Sequence, residues 1–495
     1  MSTVTDKPNK ETPPPHDDHS PVREIDWQDF RDHLATADKL GHRQWVYAKK
    51  PSGKWTQRRT ALAVLLIGIM FAGPFIHING NPLLMMNIVE RRFSILGQLF
   101  WPQDAVIFAV AMLTFLTGII LFTTAFGRLW CGWTCPQTVM MEMVFRKIEY
   151  LIEGDALAQR ALAQSPWNAR KLWKKGLKLG IFFALSFIIG NTLLAYIIGS
   201  DALLKIITDP PSQHIVGLIF MLMFTLLFFA IFARFREQAC TFICPYGRLQ
   251  SAMLDENSVV VAYDNKRGER RDRLHRDQTA LQRSAAGAGD CIDCHQCVAV
   301  CPTGIDIRNG LQMECVHCTA CVDACDSVMR KVGRPEGLIR YASLNSIEKR
   351  EPIRFTARMA LYSVVLFGLI SLFMALVLTR PAVEAIFLRA PGALFQATGN
   401  GKIENLYTLK LVNKTMKDLP VELKLENVSG TLQVMGQQNL VVPAAKLIQT
   451  SVLIELDQTK LTGATTKLKV GVYSGGKLLQ RVNTAFVGPR NTATP

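Results

Sequence analysis

Cysteine is missing from both ends of this 495-residue chain, since none precedes Cys131 and none follows Cys325. The C-terminal part therefore cannot depend on disulfides, even in an oxidising compartment. The chain also has no Walker loop, no G-x-G-x-x-G followed by an acidic residue for a ribose, and no catalytic Ser/His/Asp pattern. These absences argue against a nucleotide-dependent enzyme and against a triad hydrolase.

The first 22 residues lack an apolar run and are rich in Pro, Asp, Lys and Thr. Because such a segment cannot bury enough apolar surface to fold, we predict a disordered tail over 1–22 and no secretory signal. The formal net charge of +16 would also suit a nucleic-acid-binding protein. Since 49% of the residues are hydrophobic, we interpret this charge as loops beside anionic lipid and expect no nucleic-acid partner.

Five segments are apolar over the roughly 20 residues that a helix needs to cross a bilayer. They run approximately over 60–78, 105–126, 177–199, 215–235 and 357–379. Basic residues cluster before the first segment and between the second and third, namely Lys49, Lys50, Lys54, Arg58, Arg59, Arg146, Lys147, Arg170, Lys171, Lys174 and Lys175. The positive-inside rule then places the N-terminus and the region 236–354 in the cytoplasm, and everything after Arg380 across the membrane.

The residues after Leu406 alternate between apolar and polar side chains in short runs such as "LYTLKLVN", "VELKLENV", "TSVLIELD" and "TKLKVGVY". Turn-forming tripeptides such as "VSG", "LTG" and "SGG" separate these runs. This pattern is typical of an antiparallel sandwich, so we predict one immunoglobulin-like domain.

The predicted organisation is a disordered tail over 1–22, a cytoplasmic segment over 23–59, a four-helix membrane domain over 60–235, a cytoplasmic ferredoxin-type domain over 236–356, a fifth transmembrane helix over 357–379 and a periplasmic immunoglobulin-like domain over 395–490. The fold class is thus an α-helical membrane protein of about five transmembrane helices. It contains an inserted cytoplasmic ferredoxin-like domain with two 4Fe-4S clusters and ends in an all-β sandwich.

Eight cysteines form two consecutive copies of C-x2-C-x2-C-x3-C, beginning with the stretch "CIDCHQCVAVCP". In the bacterial ferredoxin spacing, three close thiolates hold one 4Fe-4S cluster and the fourth cysteine crosses to the other cluster. The first cluster would thus take Cys291, Cys294, Cys297 and Cys325, and the second Cys315, Cys318, Cys321 and Cys301. Two zinc sites are the alternative, but zinc pairs usually separate two C-x2-C motifs by a longer gap. One departure is that Asp326 stands where the motif expects a proline after Cys325.

The other four cysteines form two C-x3-C-P motifs, "CGWTCP" with Cys131 and Cys135, and "CTFICP" with Cys240 and Cys244. Each motif follows a predicted membrane helix, and both would emerge at the same membrane face. Packing as small hydrophobic side chains is the alternative. We favour a soft-metal or redox site, because thiolates are the ligands that select monovalent copper and iron-sulfur clusters.

The order of these features resembles the CcoG family, also called FixG or RdxA, the accessory proteins for assembly of cbb-type cytochrome c oxidase. The resemblance rests on "WCGWTCPQTV", "ACTFICPYGRLQSAML", the eight-cysteine module, "GLIRYASLNS" and the strand "NLYTLKLVNKT". It implies a multi-pass protein of the bacterial inner membrane that reduces cupric to cuprous ion for the oxidase. Copper would be a substrate or transient ligand, held by Cys131, Cys135, Cys240 and Cys244. The implied partners are oxidase assembly factors or copper chaperones and an electron donor of unknown identity, and a homodimer is one expectation for the assembly.

Two alternatives remain open on the sequence. One is a membrane polyferredoxin like those of the nitrous-oxide and periplasmic nitrate reductase systems, which passes electrons between quinol and a periplasmic partner. The other is a non-redox scaffold for oxidase assembly, in which the clusters are structural.

Overall fold

The computed structural model describes residues 36, 42–78, 81–87, 92–95, 97–274, 280–352, 354–392, 394–398, 401–415, 417–436, 440–444 and 446–489. The predicted disordered tail 1–22 lies outside the described residues. The α-helices, numbered in chain order, are α1 Lys54–Ala72, α2 Ala105–Phe126, α3 Leu129–Trp133, α4 Pro136–Met140, α5 Arg146–Ile152, α6 Ala156–Gln164, α7 Ala169–Ile198, α8 Ser200–Thr208, α9 Ile215–Ala230, α10 Pro245–Met253, α11 Asn265–Gly268, α12 Ala280–Ala285, α13 Gln296–Ala299, α14 Ala320–Lys331, α15 Leu344–Glu348 and α16 Ala357–Leu378. Turns of π-helix run over Met141–Phe145, Ile231–Phe235 and Ala239–Ile243, and 3-10 turns over Pro102–Asp104, Pro211–Gln213, Ile307–Asn309 and Gln458–Lys460.

The strands are β1 His77–Ile78, β2 Asn81–Pro82, β3 Leu84–Asn87, β4 Arg92–Ile95, β5 Gln98–Phe100, β6 Val260–Tyr263, β7 Ile339–Ala342, β8 Val383–Arg389, β9 Gln396–Thr398, β10 Lys402–Asn413, β11 Leu419–Leu425, β12 Thr431–Val434, β13 Leu440–Val442, β14 Leu447–Asp457, β15 Thr465–Ser474 and β16 Lys477–Val487. Strands β1 to β5 form two small antiparallel sheets between α1 and α2.

Four helices of the described chain are long and apolar enough to cross a membrane: Ala105–Phe126, Ala169–Ile198, Ile215–Phe235 and Ala357–Leu378. They correspond to four of the five predicted spans. The remaining prediction, 60–78, differs from the structure, because the helix begins earlier, at Lys54, and ends at Ala72. Its first two turns carry Lys54, Arg58 and Arg59, which lowers the hydropathy of α1 and keeps it out of this set. Arg59 was expected in a loop, but it lies on α1 and is buried.

The membrane helices pack in two pairs, α2 with α16 and α7 with α9. The N-terminal end of α2 meets the sandwich, where the carboxylate of Asp104 forms ion pairs with Arg380 and Lys414. The C-terminal end of α2 meets the cysteine-rich region, where Val259 donates a hydrogen bond to the carbonyl of Ala125, at 2.9 Å. The two globular parts therefore lie at opposite ends of α2.

The cysteine-rich region between α10 and α16 is built on the antiparallel pair β6 and β7. Its core combines aliphatic side chains with thiols, including Val261, Ile307, Leu338, Cys297 and Cys315. Helix α14 packs against this pair and also against α1. The region is therefore docked on α1 and on the C-terminal end of α2 rather than held only by its chain connections.

The C-terminal domain is a sandwich of two antiparallel sheets, as predicted. One sheet has the order β12-β14-β10-β8, with β9 also paired to β10, and the other has the order β13-β11-β15-β16. Inward-facing residues of both sheets fill the core, including Tyr407, Leu409, Ile454, Val472 and Phe486. The first strand, β8, starts at residue 383, earlier than the predicted boundary at 395, because it follows α16 almost directly.

Candidate metal centres

Four thiols of the cysteine-rich region surround one small cavity. Cys291, Cys294 and Cys297 come from the first repeat and Cys325 from α14 of the second repeat, and Tyr263 completes this part of the wall. Cys291 and Cys297 are buried, whereas Cys294 is exposed. The structure therefore brings together the four cysteines that the ferredoxin spacing assigns to the first cluster.

A second cavity is lined by Cys315, Cys318 and Cys321 of the second repeat and by Cys301 of the first. Cys297 lines this cavity as well as the other one, so the two cavities adjoin. The fourth cysteine of each repeat thus faces the thiols of the other repeat. This exchange is the arrangement that the ferredoxin spacing predicts.

The two C-x2-C-x2-C loops repeat the same unusual backbone. Asp293 and His295 have positive φ values of 51° and 52°, and the equivalent residues His317 and Thr319 have values of 52° and 64°. Such a conformation costs about 1 kcal/mol or more for a residue with a side chain. Alternating right- and left-handed residues turn successive N–H groups into one concave surface, the kind of anion nest found at iron-sulfur sites. The loops therefore fit a cluster whose sulfides accept hydrogen bonds from the backbone.

Burial controls the protonation of these thiols. It raises the pKa of Cys297 to about 12 and that of Cys301 to about 11. It also raises the pKa of Cys315 and of Cys325 to about 12. Free thiols of this kind stay protonated at neutral pH, so iron must displace their protons when it binds.

The described side chains of His, Cys, Asp and Glu include no group of three or more arranged to hold a single metal ion. A four-iron cluster has a different requirement, because each thiolate binds a different iron and the sulfurs stand further apart. Two adjoining cavities fit that requirement, because one is lined by the four thiols of the first set and the other by the four thiols of the second set together with Cys297.

Asp323 lies between Cys321 and Cys325 on α14 and attaches this helix to the membrane domain. Its carboxylate accepts hydrogen bonds from the backbone N–H of Trp55 at 3.0 Å, and from the N–H and hydroxyl of Thr56 at 2.7 Å each. The residue before α1 is Gly53, which provides no side-chain cap. A Cβ at Gly53 would come within 2.3 Å of the Asp323 carboxyl carbon, so glycine is required for this approach. Asp323 therefore caps α1 from the cysteine-rich region.

The two C-x3-C-P motifs share one local geometry. In each, the first cysteine lies in a helical turn and the second, Cys135 or Cys244, is the N-cap of a helix whose first residue is proline. The amide of each second cysteine donates at 2.9 Å to the carbonyl five residues earlier, on Trp130 and on Ala239. Proline keeps the preceding residue out of the helical region, which explains the extended conformation of both cysteines. The nine-residue helix α10 directs its positive end toward Cys244.

The two C-x3-C-P motifs meet at α10, because Arg128 and Cys131 of the first motif region both bond to residues of this helix, Gly247 and Gln250. Burial, followed by the charge of Cys135, raises the pKa of Cys131 to about 11, and Cys244 also contributes to this shift. Burial, followed by the charges of Cys135 and Cys131, raises the pKa of Cys240 to about 12. The thiol of Cys131 donates a hydrogen bond to the buried amide oxygen of Gln250 at 3.1 Å. The two motifs, over one hundred residues apart in sequence, are thus neighbours in the fold, and we call their four cysteines the thiol cluster.

Arg128 joins this thiol cluster to the second ferredoxin loop. Its guanidinium donates to the carbonyls of Met313 and Gly247, and its backbone N–H donates to Nδ1 of His317 at 3.1 Å. Its charge acts on both Cys131 and Cys315. A single buried cation therefore lies within electrostatic range of both groups of thiols.

Gly132 brings the first C-x3-C-P motif into contact with the same loop. A Cβ at this position would lie 2.2 Å from the carbonyl oxygen of Val316, so only glycine allows the contact. The carbonyl of Gly132 accepts a 2.7 Å hydrogen bond from Nε of the buried Arg59 on α1. Burial, followed by the charge of Arg128, lowers the pKa of His317 to about 3, so this imidazole is neutral at physiological pH.

A buried ion network supports the thiol cluster from the other side. Glu149 accepts two bonds from Arg236, at 2.7 and 3.0 Å, and one from Lys178 at 3.1 Å. Burial acts to raise the pKa of Glu149, but Arg236, followed by Lys178 and Arg146, outweighs it and lowers this pKa to about 2. Because Arg236 lies four residues before Cys240, the network fixes the start of the second motif.

Sequence reasoning located every cysteine of these sites but missed Arg128, Arg59, Asp323 and the Glu149 network. One sequence feature could have indicated the arginines. Arg128 and Arg236 each stand at the end of an apolar helix, three or four residues before the first cysteine of a C-x3-C-P motif. Asp323 caps a helix that is distant in sequence, so no local pattern indicates this role.

Three family models match the chain. A 4Fe-4S dicluster domain matches residues 235–344, a 4Fe-4S binding domain matches 108–153, and the Ig-like fold at the C-terminus of FixG matches 373–489. The second match contains Cys131 and Cys135 but none of the eight ferredoxin cysteines.

Curated relatives align over most of the chain. Protein RdxA of Cereibacter sphaeroides is 34% identical over 471 residues, which cover 90% of this chain and 98% of RdxA. The nitrogen fixation protein FixG of Rhizobium meliloti is 32% identical, covering 80% of this chain and 82% of FixG. Protein RdxB of Cereibacter sphaeroides is 34% identical, covering 77% and 81%. Together with the iron-sulfur domains and the apolar helices, these alignments show that the chain is a membrane iron-sulfur electron-transfer protein of the FixG/RdxA family.

Proposed function

We propose that this protein is a one-electron conduit that reduces cupric to cuprous ion for the assembly of a cbb-type cytochrome c oxidase. The observation that carries the proposal is the thiol cluster of the two C-x3-C-P motifs, which Arg128 and Gly132 join to the second ferredoxin loop. Soft ligands would thus lie beside the loop that we assign to an electron carrier.

The electron carriers would be two 4Fe-4S clusters. We assign the first to Cys291, Cys294, Cys297 and Cys325, and the second to Cys315, Cys318, Cys321 and Cys301, because each set lines one cavity. When bound, such a cluster stores and releases one electron at a time. The backbone nests and the buried arginines of this chain would stabilise its negative charge.

The proposed reaction balances with one electron per copper ion. A reduced cluster would return to its oxidised state as one cupric ion becomes cuprous. Cys131, Cys135, Cys240 and Cys244 would hold the product, because thiolates favour monovalent copper. The thiols are not arranged around a single ion, so the copper ion would draw them inward and displace their protons.

We further propose that α1 crosses the bacterial inner membrane together with the four apolar helices, with the N-terminus and the cysteine-rich region in the cytoplasm and the sandwich in the periplasm. The placement of the two globular parts at opposite ends of α2 supports this topology. So does the tight contact of α1 with α14. Copper chaperones or oxidase assembly factors would take up the cuprous ion.

A second candidate function is favoured by the 4Fe-4S binding domain model that matches 108–153. On this alternative, the four C-x3-C-P thiols hold a third iron-sulfur cluster, and the protein passes electrons onward without reducing copper.

The experiment that tests the proposal replaces Cys135 and Cys244 by serine in one chain. These two residues begin helices and do not line the ferredoxin cavities. We expect the cluster spectra and the iron content to stay at the wild-type level, while the rate of cupric reduction by the dithionite-reduced protein falls at least tenfold. The double variant Thr134→Ser and Thr241→Ser is the matched control, because it changes the same two motifs and keeps every thiol.

Three results would decide against the proposal. If the rate of cupric reduction were unchanged, these cysteines would only pack as small hydrophobic side chains. Loss of about four irons per chain would assign them to a third cluster. An equal fall in the threonine control would show that the motif backbone, and not the thiol chemistry, limits the reaction.

A further inference from the structure

Beside the thiol cluster lies an apolar cavity that the copper chemistry does not use. It encloses about 960 Å³, counting its open mouth, and none of the described residues that line it carries a charged side chain. Its walls come from the last turns of α2, from α1, from α3 and from β7. Helix α2 is one of the four long apolar helices, and β7 belongs to the cysteine-rich region. The cavity therefore lies where these two parts of the protein meet.

Aromatic rings form two walls of this cavity. On one side Trp55 contacts Trp133 and Tyr341, with ring centroids 6.1 and 5.5 Å apart. On the other side Phe122 contacts Trp130 at 6.3 Å. Trp130 is 38% exposed. The space between these walls suits a flat, neutral, aromatic molecule, since ring faces and edges favour stacked or T-shaped contacts.

The aromatic wall is connected to both candidate redox sites. Trp133 lies between the two cysteines of the first C-x3-C-P motif, and its indole N–H donates to the Tyr341 hydroxyl at 3.0 Å. That hydroxyl donates in turn to the carbonyl of His317 at 3.2 Å. Because His317 lies between Cys315 and Cys318, only one side chain separates the cavity from the loop of the second cluster.

We infer that this cavity binds a lipid-soluble quinol, which donates electrons to the iron-sulfur clusters. The inference rests on the proposed function, because the 4Fe-4S clusters assigned there would accept the electrons of the quinol. The lining favours a neutral ligand, because its described residues are aromatic, aliphatic or, at Thr134, hydroxylic. The chain also has no motif for a nicotinamide or flavin nucleotide, whose phosphates would need cationic or N–H partners. A quinol combines an aromatic head with solubility in the bilayer.

The electron balance is two electrons per quinol. The quinol loses two electrons and two protons and becomes a quinone, two oxidised clusters take one electron each, and water accepts both protons. The quinone then leaves through the open mouth of the cavity. Two cupric ions would reoxidise the two clusters.

The test uses the full-length, cluster-containing protein in lipid nanodiscs without oxygen. Decylubiquinol and menadiol are added in turn, and cluster reduction is followed by absorbance. We expect both clusters of the wild-type protein to become reduced. Trp130→Ala, which removes one wall, and Leu62→Trp, which fills the cavity from α1, should each slow this reduction at least tenfold. Phe367→Ala is the matched control, because Phe367 is 73% exposed on α16 and does not line the cavity.

Separate measurements distinguish this inference from the proposed function. Reduction by dithionite, iron content and reoxidation by cupric ion should be unchanged in both cavity variants. Wild-type clusters that stay oxidised with either quinol would overturn the inference, as would cavity variants that are reduced at the wild-type rate. The inference would also be overturned if native mass spectrometry found only phospholipid bound and quinol did not displace this phospholipid. Failure of cupric ion to reoxidise the dithionite-reduced protein would instead contradict the proposed function alone.

Discussion

Replacing Asp323 should loosen helix α14 from α1. Its carboxylate accepts three hydrogen bonds from Trp55 and Thr56 at the start of α1. A hydrogen bond to a charged group contributes about 1.5–3 kcal/mol, and loss of a helix cap costs up to about 2 kcal/mol. Because these contributions are not additive and water can replace part of them, we expect Asp323→Ala to cost about 3 kcal/mol of docking free energy.

This loss should appear in two measurements on the cluster-containing protein. Hydrogen exchange at the first amides of α1 should become faster, since their acceptor is gone. Iron release to a chelator should accelerate about a hundredfold, because each 1.36 kcal/mol corresponds to one factor of ten and α14 carries both Cys321 and Cys325. Asp323→Asn keeps one acceptor oxygen, so it should lose about 1 kcal/mol and release iron about fivefold faster.

Asp326→Ala is the matched control for this prediction. Asp326 lies on the same helix, directly after Cys325, and accepts one hydrogen bond from Gly337 at 2.9 Å. It makes no hydrogen bond to α1, so the exchange of the α1 amides should be unchanged in this variant. The reasoning would be refuted if Asp323→Ala left amide exchange and iron release at the wild-type level, or if Asp326→Ala accelerated both equally.

Three other predictions concern the clusters, the topology and the ion network. Iron and acid-labile sulfide should each approach eight per chain, as two 4Fe-4S clusters require, and Cys301→Ser should damage the second cluster more than the first, as followed by electron paramagnetic resonance. Reporter fusions ending at Ser212 and near Asn413 should be active outside and fusions at Ala288 inside, and an inside result near Asn413 would reverse the topology. Because the pKa of Glu149 is lowered from its ordinary 4.5 to about 2, its ion pairs stabilise the fold above pH 4.5 and are lost as the pH falls toward 2. Glu149→Gln should therefore destabilise the protein by about 3 kcal/mol at pH 7, and a thermal melt that showed the same difference at pH 3 would contradict this explanation.

Local sequence patterns were enough to predict several parts of the structure. Apolar runs predicted four membrane helices, because a backbone in lipid must satisfy its own hydrogen bonds. The alternation of apolar and polar residues predicted the sandwich strands. The ferredoxin spacing named the two sets of cysteines, because three thiols within seven residues can reach one cluster only in a tight loop. Proline after Cys135 and Cys244 indicated where each turn would end.

How these parts fit together depends on contacts between segments that are distant in sequence. No local pattern shows that Asp323 caps α1 across more than 260 residues, or that Arg128 reaches Met313 and Gly247 together. The start of α1 also involves such contacts, because its first N–H groups donate to an acceptor in the cysteine-rich region, the Asp323 carboxylate. The aromatic cavity beside Trp130 likewise exists only because α1, α2, α3 and β7 converge, and sequence spacing contains no information about that convergence.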